Sequence, residues 1–332
     1  MEPNGIRSRR GAAAHRIGLL LSLCTLSATH AATPSHITIS GERIFPESIT
    51  STADGTVIIG SIGQRMIYRA RSGAAVARPW ITPGTDGMQT IFGVLADDRS
   101  RTLWACSNDF GPSGSERPPP ATLYAFDLRN GAPKGHYPLP TPGALCNDIV
   151  VDTDGTVYAT DTNNMEVVRL ARGAAHLEVW AGPSGFGPRS GLLYGIAILG
   201  RRVLVNTLAT SRIFSVPIER GGAAGSVVEV RLDRPLAHPD GMRRFGRDCL
   251  LVAQGGEGGR LSRVVVHGDS ATVTTLKDGF PDGPVAVTVV GATAYVLEGQ
   301  LGKFMHPAVP DGTGPLMRLN PFRATAVELV NP

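Results

Sequence analysis

The chain has 332 residues, 42% of them apolar, which is enough for one large domain with a substantial core. Its formal net charge is +4, and no basic stripe marks a nucleic-acid surface. Glycine (41) and proline (25) are abundant and aromatics make up only 6%, a balance that suits many short strands joined by tight turns.

The first segment reads as a secretory signal. Arg7, Arg9, Arg10 and Arg16 form a basic stretch, residues 17–26 an apolar run, and Thr29-His30-Ala31 a small-residue end. Cleavage is expected after Ala31, giving a signal peptide over 1–31 and an exported protein, periplasmic or secreted. Ser8-Arg9-Arg10 hints at twin-arginine export and Leu21-Ser22-Leu23-Cys24 at a lipobox, but the residues after Arg10 and the bulky Leu23 argue against both. Without 1–31 the chain carries 28 Lys and Arg against 27 Asp and Glu, and no later apolar run approaches bilayer length, so neither nucleic acid nor membrane is an expected partner.

From residue 36 onward a unit recurs: a short apolar run, a turn, then a second apolar run. Its clearest copies are Ser48-Ile49 with Asp54-Gly55-Thr56-Val57, and Asp148-Ile149-Val150-Val151 with Asp154-Gly155-Thr156-Val157. Others begin at Gly93, Gly195, Gly241 and Val285, so the copies lie 44 to 55 residues apart. Each copy reads as a β-hairpin, its Asp-Gly turn supplying positive φ. A further alternating stretch, such as Thr122-Leu123-Tyr124-Ala125-Phe126, completes four strands. The expected fold is all-β: one six-bladed β-propeller over 36–332 with four antiparallel strands per blade. An irregular β-sandwich is the alternative, and the near-constant spacing argues against it. Strand 36–40 is expected to pair with 324–330 and seal the ring. Long loops at 107–120 and 299–314 are expected at the channel mouth.

The residue before each anchor should point into that mouth. These residues are Glu47, Phe92, Asn147, Tyr194, Asp240 and Pro284. Three of them are oxygen donors on alternate blades, the donor type that holds a hard divalent cation. Taken singly, each has a structural alternative: Asn147 and Asp240 stand where such residues cap turns, and Glu47 can be a solvated loop residue.

The stretches Phe45-Pro46-Glu47-Ser48-Ile49, Cys146-Asn147-Asp148-Ile149-Val150-Val151-Asp152 and His238-Pro239-Asp240-Gly241-Met242 resemble the gluconolactonase, regucalcin and senescence-marker family of six-bladed propellers. Paraoxonases and strictosidine synthase-like proteins are more distant relatives. The resemblance implies that Glu47 and Asp240 bind a divalent metal and that Asn147 lies beside metal and substrate. Ca²⁺ is the expected ion, with Zn²⁺ and Mn²⁺ as alternatives. One departure is Tyr194-Gly195, where the family usually has Asn-Gly with the asparagine as a metal ligand; a phenol is a poorer ligand for a hard cation.

The function that follows is divalent-metal-dependent hydrolysis of a lactone or related ester. Glu47, Asn147 and Asp240 would hold metal, Asp240 or Asp161 would move a proton, and Asn147, Tyr194 and Phe92 would touch substrate; for Asp161 a turn-capping role stands equally open. The alternative is a non-catalytic propeller binding a small molecule or protein at the channel mouth, where Phe92 and Tyr194 suit ligand stacking. His238 is a further candidate acid or base, with a hydrogen-bonded loop histidine as its plainer reading. A serine-nucleophile elbow, a P-loop and a dinucleotide fingerprint are all missing from the sequence. Outside the leader three cysteines remain; Cys106 and Cys146, at neighbouring strand ends of one face, are expected to form a disulfide and Cys249 to stay reduced.

Overall fold

The structure is a computed structural model that describes residue 1 and residues 33–110, 119–188, 191–255, 258–305 and 318–330. The chain divides into two units, Met1–Ala32 and Thr33–Pro332. The expected signal segment lies outside the described residues apart from Met1, and so do residues 111–118 and 306–317 of the two long loops. Everything below concerns the second unit.

That unit is all-β with almost no helix. Strand β1 (His36–Ile39) is followed by an antiparallel meander of β2 (Pro46–Ser51), β3 (Val57–Ser61), β4 (Ile67–Ala70) and β5 (Val76–Ile81). The same up-and-down path recurs in β6 (Thr90–Asp97), β7 (Thr102–Asn108), β8 (Thr122–Asp127) and β9 (Pro133–Pro138). It recurs in β10 (Cys146–Val151), β11 (Val157–Asp161), β12 (Glu166–Leu170) and β13 (Glu178–Ala181), and in β14 (Leu193–Leu199), β15 (Arg202–Thr207), β16 (Ile213–Pro217) and β17 (Val228–Leu232). Then come β18 (Pro239–Arg244), β19 (Cys249–Gln254), β20 (Arg260–His267) and β21 (Ser270–Lys277). The last run is β22 (Pro284–Val290), β23 (Thr293–Glu298) and, beyond the short helix α1 (Leu301–Met305), β24 (Arg323–Glu328).

The hairpins form for local reasons. At Asp54-Gly55 and Asp154-Gly155 the glycines adopt φ of 84° and 93°. Each aspartate Oδ1 accepts the backbone N–H two residues on, from Thr56 at 2.9 Å and Thr156 at 2.8 Å. The strands that follow, Val57–Ser61 and Val157–Asp161, are buried along their whole length and open on the apolar Val57-Ile58-Ile59 and Val157-Tyr158-Ala159.

The first strands of the runs lie against one another in a closed order: β2 on β6, β6 on β10, β10 on β14, β14 on β18, β18 on β22, and β22 back on β2. The core fills the spaces between neighbouring runs; Ile49, Val57 and Ile59, for example, pack with Val285, Ala286 and Leu297. At the outer edge β5 meets β1 and β17 meets β21, both in parallel, so the hydrogen-bonded sheets number four, two of eight strands and two of four. β1 also pairs antiparallel with β24, His36 opposite Thr325 and Thr38 opposite Arg323, so the first strand completes the last run. Among the described residues no helix is long and apolar enough to cross a membrane.

Candidate functional site

Every innermost strand carries a β-bulge at the same level. The pairing register shifts between Pro46 and Ser48, Ile91 and Val94, Cys146 and Ile149, Leu193 and Ile196, Pro239 and Met242, and Pro284 and Ala286. A bulge re-aims the side chains it contains. The bulged residues are Glu47, Phe92, Asn147, Tyr194, Asp240 and, in the last run, Val285. The sequence reading placed Pro284 at this level; the register puts it one residue early, because Pro284 faces Glu298 as Pro46 faces Ser61.

The residue after the bulged side chain is glycine in three runs, and the packing explains it. A Cβ at Gly93 would lie 2.1 Å from the Asn147 carbonyl oxygen, at Gly195 2.4 Å from that of Asp240, and at Gly241 2.8 Å from that of Val285. Backbones approach too closely here for any side chain. Asn206 reinforces the contact: its Nδ2 donates to the Asp240 carbonyl at 2.6 Å and its Oδ1 accepts from Gly195 N–H at 3.1 Å.

Glu47, Phe92, Tyr194, Asp240 and Val285 line one cavity of about 730 Å³. Glu47 and Asp240 sit in its floor, each at most 7% exposed. Burial, then Asp240, then Asp148 push the Glu47 carboxyl well above the usual carboxylate range, against the pull of Arg243. Burial and Asp148 do the same to Asp240. Neither carboxylate forms an ion pair among the described residues, because the nearby Arg243 is already held by Asp148 at 2.8 and 3.0 Å. Asn147 stands at the bulge of the same level but is buried and does not line the cavity, and its side-chain Nδ2 has no hydrogen-bond partner among the described residues. Burial, then Asp240 and Glu47, also raise the Tyr194 phenol, so it stays neutral.

Two buried carboxyl groups without an ion-pair partner form a site that a bound cation would compensate. The chemistry of the donor set fits a hard divalent cation: the oxygens are carboxylate and amide, with no sulfur. The fit is partial in number, since among the described residues no group of three or more His, Cys, Asp and Glu converges.

The other expected site residues divide. Asp161 is fully buried and does not line the cavity. Its Oδ1 accepts from Leu145 N–H at 3.0 Å and Asn164 N–H at 3.2 Å, and its Oδ2 from Asn164 Nδ2 at 2.8 Å. It caps a turn outside the cavity lining, in keeping with the turn-capping alternative. His238 does line the cavity, from a backbone at φ 47°. Cys106 and Cys146 are disulfide-bonded with Cα atoms 5.2 Å apart, and Cys249 is a buried free thiol that burial pushes up to about 11.

Two features escaped the sequence reading. One is the pair below the floor: Arg243 reaches from β18 to Asp148 on β10, and Asp148 Oδ2 also accepts from Ile196 N–H on β14 at 3.2 Å. Its only sequence signal is an aspartate at a level where three other runs have glycine. The other is an aromatic wall. Phe92 meets Phe110 edge-on at 5.3 Å, Phe110 stacks on Phe304 at 6.1 Å, and Phe304 contacts Phe45 at 5.1 Å. Phe110 and Phe304 come from the two long loops, whose pattern carries no period.

No protein-family model matches the chain, and no curated protein matches its sequence. Solved structures do match. A gluconolactonase from Xanthomonas campestris aligns with TM-score 0.58 and 14% identity over 86% of each chain. The calcium-binding protein regucalcin from Agrobacterium tumefaciens aligns with TM-score 0.57 and 16% identity, over 89% of this chain and 97% of that one. Virginiamycin B lyase from Staphylococcus aureus aligns with TM-score 0.57 and 16% identity, over 79% and 80%. At these identities the likeness shows the fold, an all-β propeller shared by proteins of different activity. Both named members of the resembled family, the gluconolactonase and regucalcin, have it.

Proposed function

We propose that the chain is a six-bladed propeller with four antiparallel strands per blade that hydrolyses a lactone or related ester with a divalent metal. The closed order of innermost strands supports six blades. The carrying observation for function is the pair Glu47 and Asp240, buried, mutually repelling and without an ion-pair partner in the floor of a large cavity. Glu47, Asp240 and Asn147 hold the ion, Ca²⁺ by preference because every donor is oxygen, with Zn²⁺ and Mn²⁺ as alternatives. A divalent ion there supplies Lewis acidity toward an acyl oxygen and acidifies water.

Hydrolysis joins the oxygen of water to the acyl carbon, breaks the acyl C–O bond, and passes the proton lost by water to the departing oxygen. Asp240, ionised when it faces the ion, takes up that proton at a carboxylate oxygen and returns it to the departing oxygen. Asn147 orients substrate, and the neutral Tyr194 offers a hydroxyl donor and a ring face. An exported protein, periplasmic or secreted after loss of residues 1–31, completes the proposal.

A second reading is favoured by Tyr194, which stands where the resembled family has a metal-binding amide: the same cavity then binds a ligand without turning it over. Calorimetric titration with Ca²⁺, Zn²⁺ and Mn²⁺, together with rates on a panel of lactones and aryl esters with and without chelator, separates the two. Metal-dependent turnover that Asp240→Ala abolishes along with metal binding supports the hydrolase. No metal uptake and no turnover sinks it in favour of the binder.

A further inference from the structure

The floor of the cavity is charged; its wall carries Lys303 and Asp282, paired with each other at 3.7 Å, and most of the other polar side chains in that wall are already engaged. The Thr162 hydroxyl donates to the Leu193 carbonyl at 2.6 Å, and Asn163 Nδ2 donates to the Gly143 carbonyl at 2.9 Å. Gln300 Oε1 accepts from Lys303 Nζ at 2.9 Å and from Asn320 N–H at 3.1 Å, while its Nε2 donates to the Asn320 carbonyl at 2.9 Å. A polyhydroxylated ring entering this space loses its water and finds few partners in the wall beyond His238 and Tyr194, and each unpaired hydroxyl is costly. What the wall does offer is the Phe92–Phe110–Phe304 aromatic run, continued by Leu145, Leu208 and Met305. Met305 stands at 57% exposure, a large apolar side chain left open beside the cavity.

We infer that the ligand of this cavity carries an apolar alkyl or aryl group that packs on the aromatic wall, and that sugar lactones are poor ligands. A long-chain or aryl-substituted lactone, rather than a polyhydroxylated one, is the substrate class. The turnover part of this inference rests on the hydrolase reading above; the binding part does not.

The test uses the full chain supplied with Ca²⁺ or Zn²⁺ and a series from γ-butyrolactone to γ-decalactone, with glucono-δ-lactone alongside. Both kcat/KM and calorimetric affinity are measured for each. Each methylene transferred from water onto the wall raises kcat/KM by up to about fourfold, and glucono-δ-lactone ranks with the shortest member. Phe304→Ala flattens the dependence on chain length. Met305→Glu, at an exposed position that leaves folding intact, flattens it too by placing a charge beside the alkyl group. Best turnover or binding of glucono-δ-lactone, with no chain-length trend, overturns the inference and leaves the hydrolase standing. Chain-length-dependent binding without any turnover upholds the apolar ligand and overturns the hydrolase. Neither binding nor turnover overturns both.

Discussion

Glu47 and Asp240 make the metal-free protein pH-sensitive in a definite direction. Their carboxyls bind protons more tightly in the folded chain than in the unfolded one, where they titrate at about 4. The native state therefore holds more protons across the window above that value, and their contribution to stability falls as pH rises through it. In chelator, Glu47→Gln and Asp240→Asn should each be more stable than the parent at neutral pH, by a few kcal/mol as for any unpaired buried charge removed, and should converge with it near pH 4. Melting temperatures against pH measure this; a parent that gains stability relative to both variants as pH rises would contradict it. Tyr194→Asn restores an amide oxygen to the bulge of β14 and should tighten divalent-ion binding on the order of tenfold, read by calorimetry. The common level of Glu47, Asn147 and Asp240, each at a bulge of an innermost strand, was legible in sequence because they recur at one position of a repeat. Asp161 stayed open in the sequence because a buried aspartate at a strand end serves a turn as readily as a reaction; in the fold three donors engage it in a turn.

Among the elements, β7 and β10 are tied at one end by the Cys106–Cys146 disulfide and by Asn108. Its Nδ2 donates to the Cys146 carbonyl at 2.8 Å and its Oδ1 accepts from Cys146 N–H at 2.9 Å. The bridge spans 40 residues and constrains the unfolded chain accordingly, for about 4 kcal/mol of stabilisation. Cys106→Ala with Cys146→Ala should lower stability by that order in denaturant melts, and reductant should destabilise the parent but not the double variant. The pairing was readable from the sequence once both cysteines were assigned to neighbouring strand ends. The bulges were not: periodicity of two locates a strand and its faces, but a bulge is one residue out of period, and the reading of Pro284 for Val285 is the size of that error. Phe110 and Phe304 were hidden for a related reason, since loop aromatics obey no period and only the folded chain brings them together.

At the scale of the molecule, the repeat spacing carried the architecture, including the pairing of the first strand with the last. Ile37 and Ile39 are each 2% exposed, inserted among Ala324, Leu297 and Tyr295. Deleting residues 33–40 should cost several kcal/mol for these two side chains and open the edges of β5 and β24, lowering the melting temperature and promoting self-association. Size-exclusion chromatography with thermal melts checks it, and a truncated chain as stable and monomeric as the parent would show that β1 is dispensable.

That same pairing sets an order of events in time. Among the described strands β1 is the first to leave a ribosome and β24 the last, with the intervening 283 residues, 40–322, between them. Until β24 emerges, β1 lacks its antiparallel neighbour and the ring stays an open arc with unsatisfied ends, so a nascent chain can gather its early blades but cannot lock them. The molecule is a clasp whose two halves are made at opposite ends of synthesis, and it is held soft, and still threadable, until the final strand arrives.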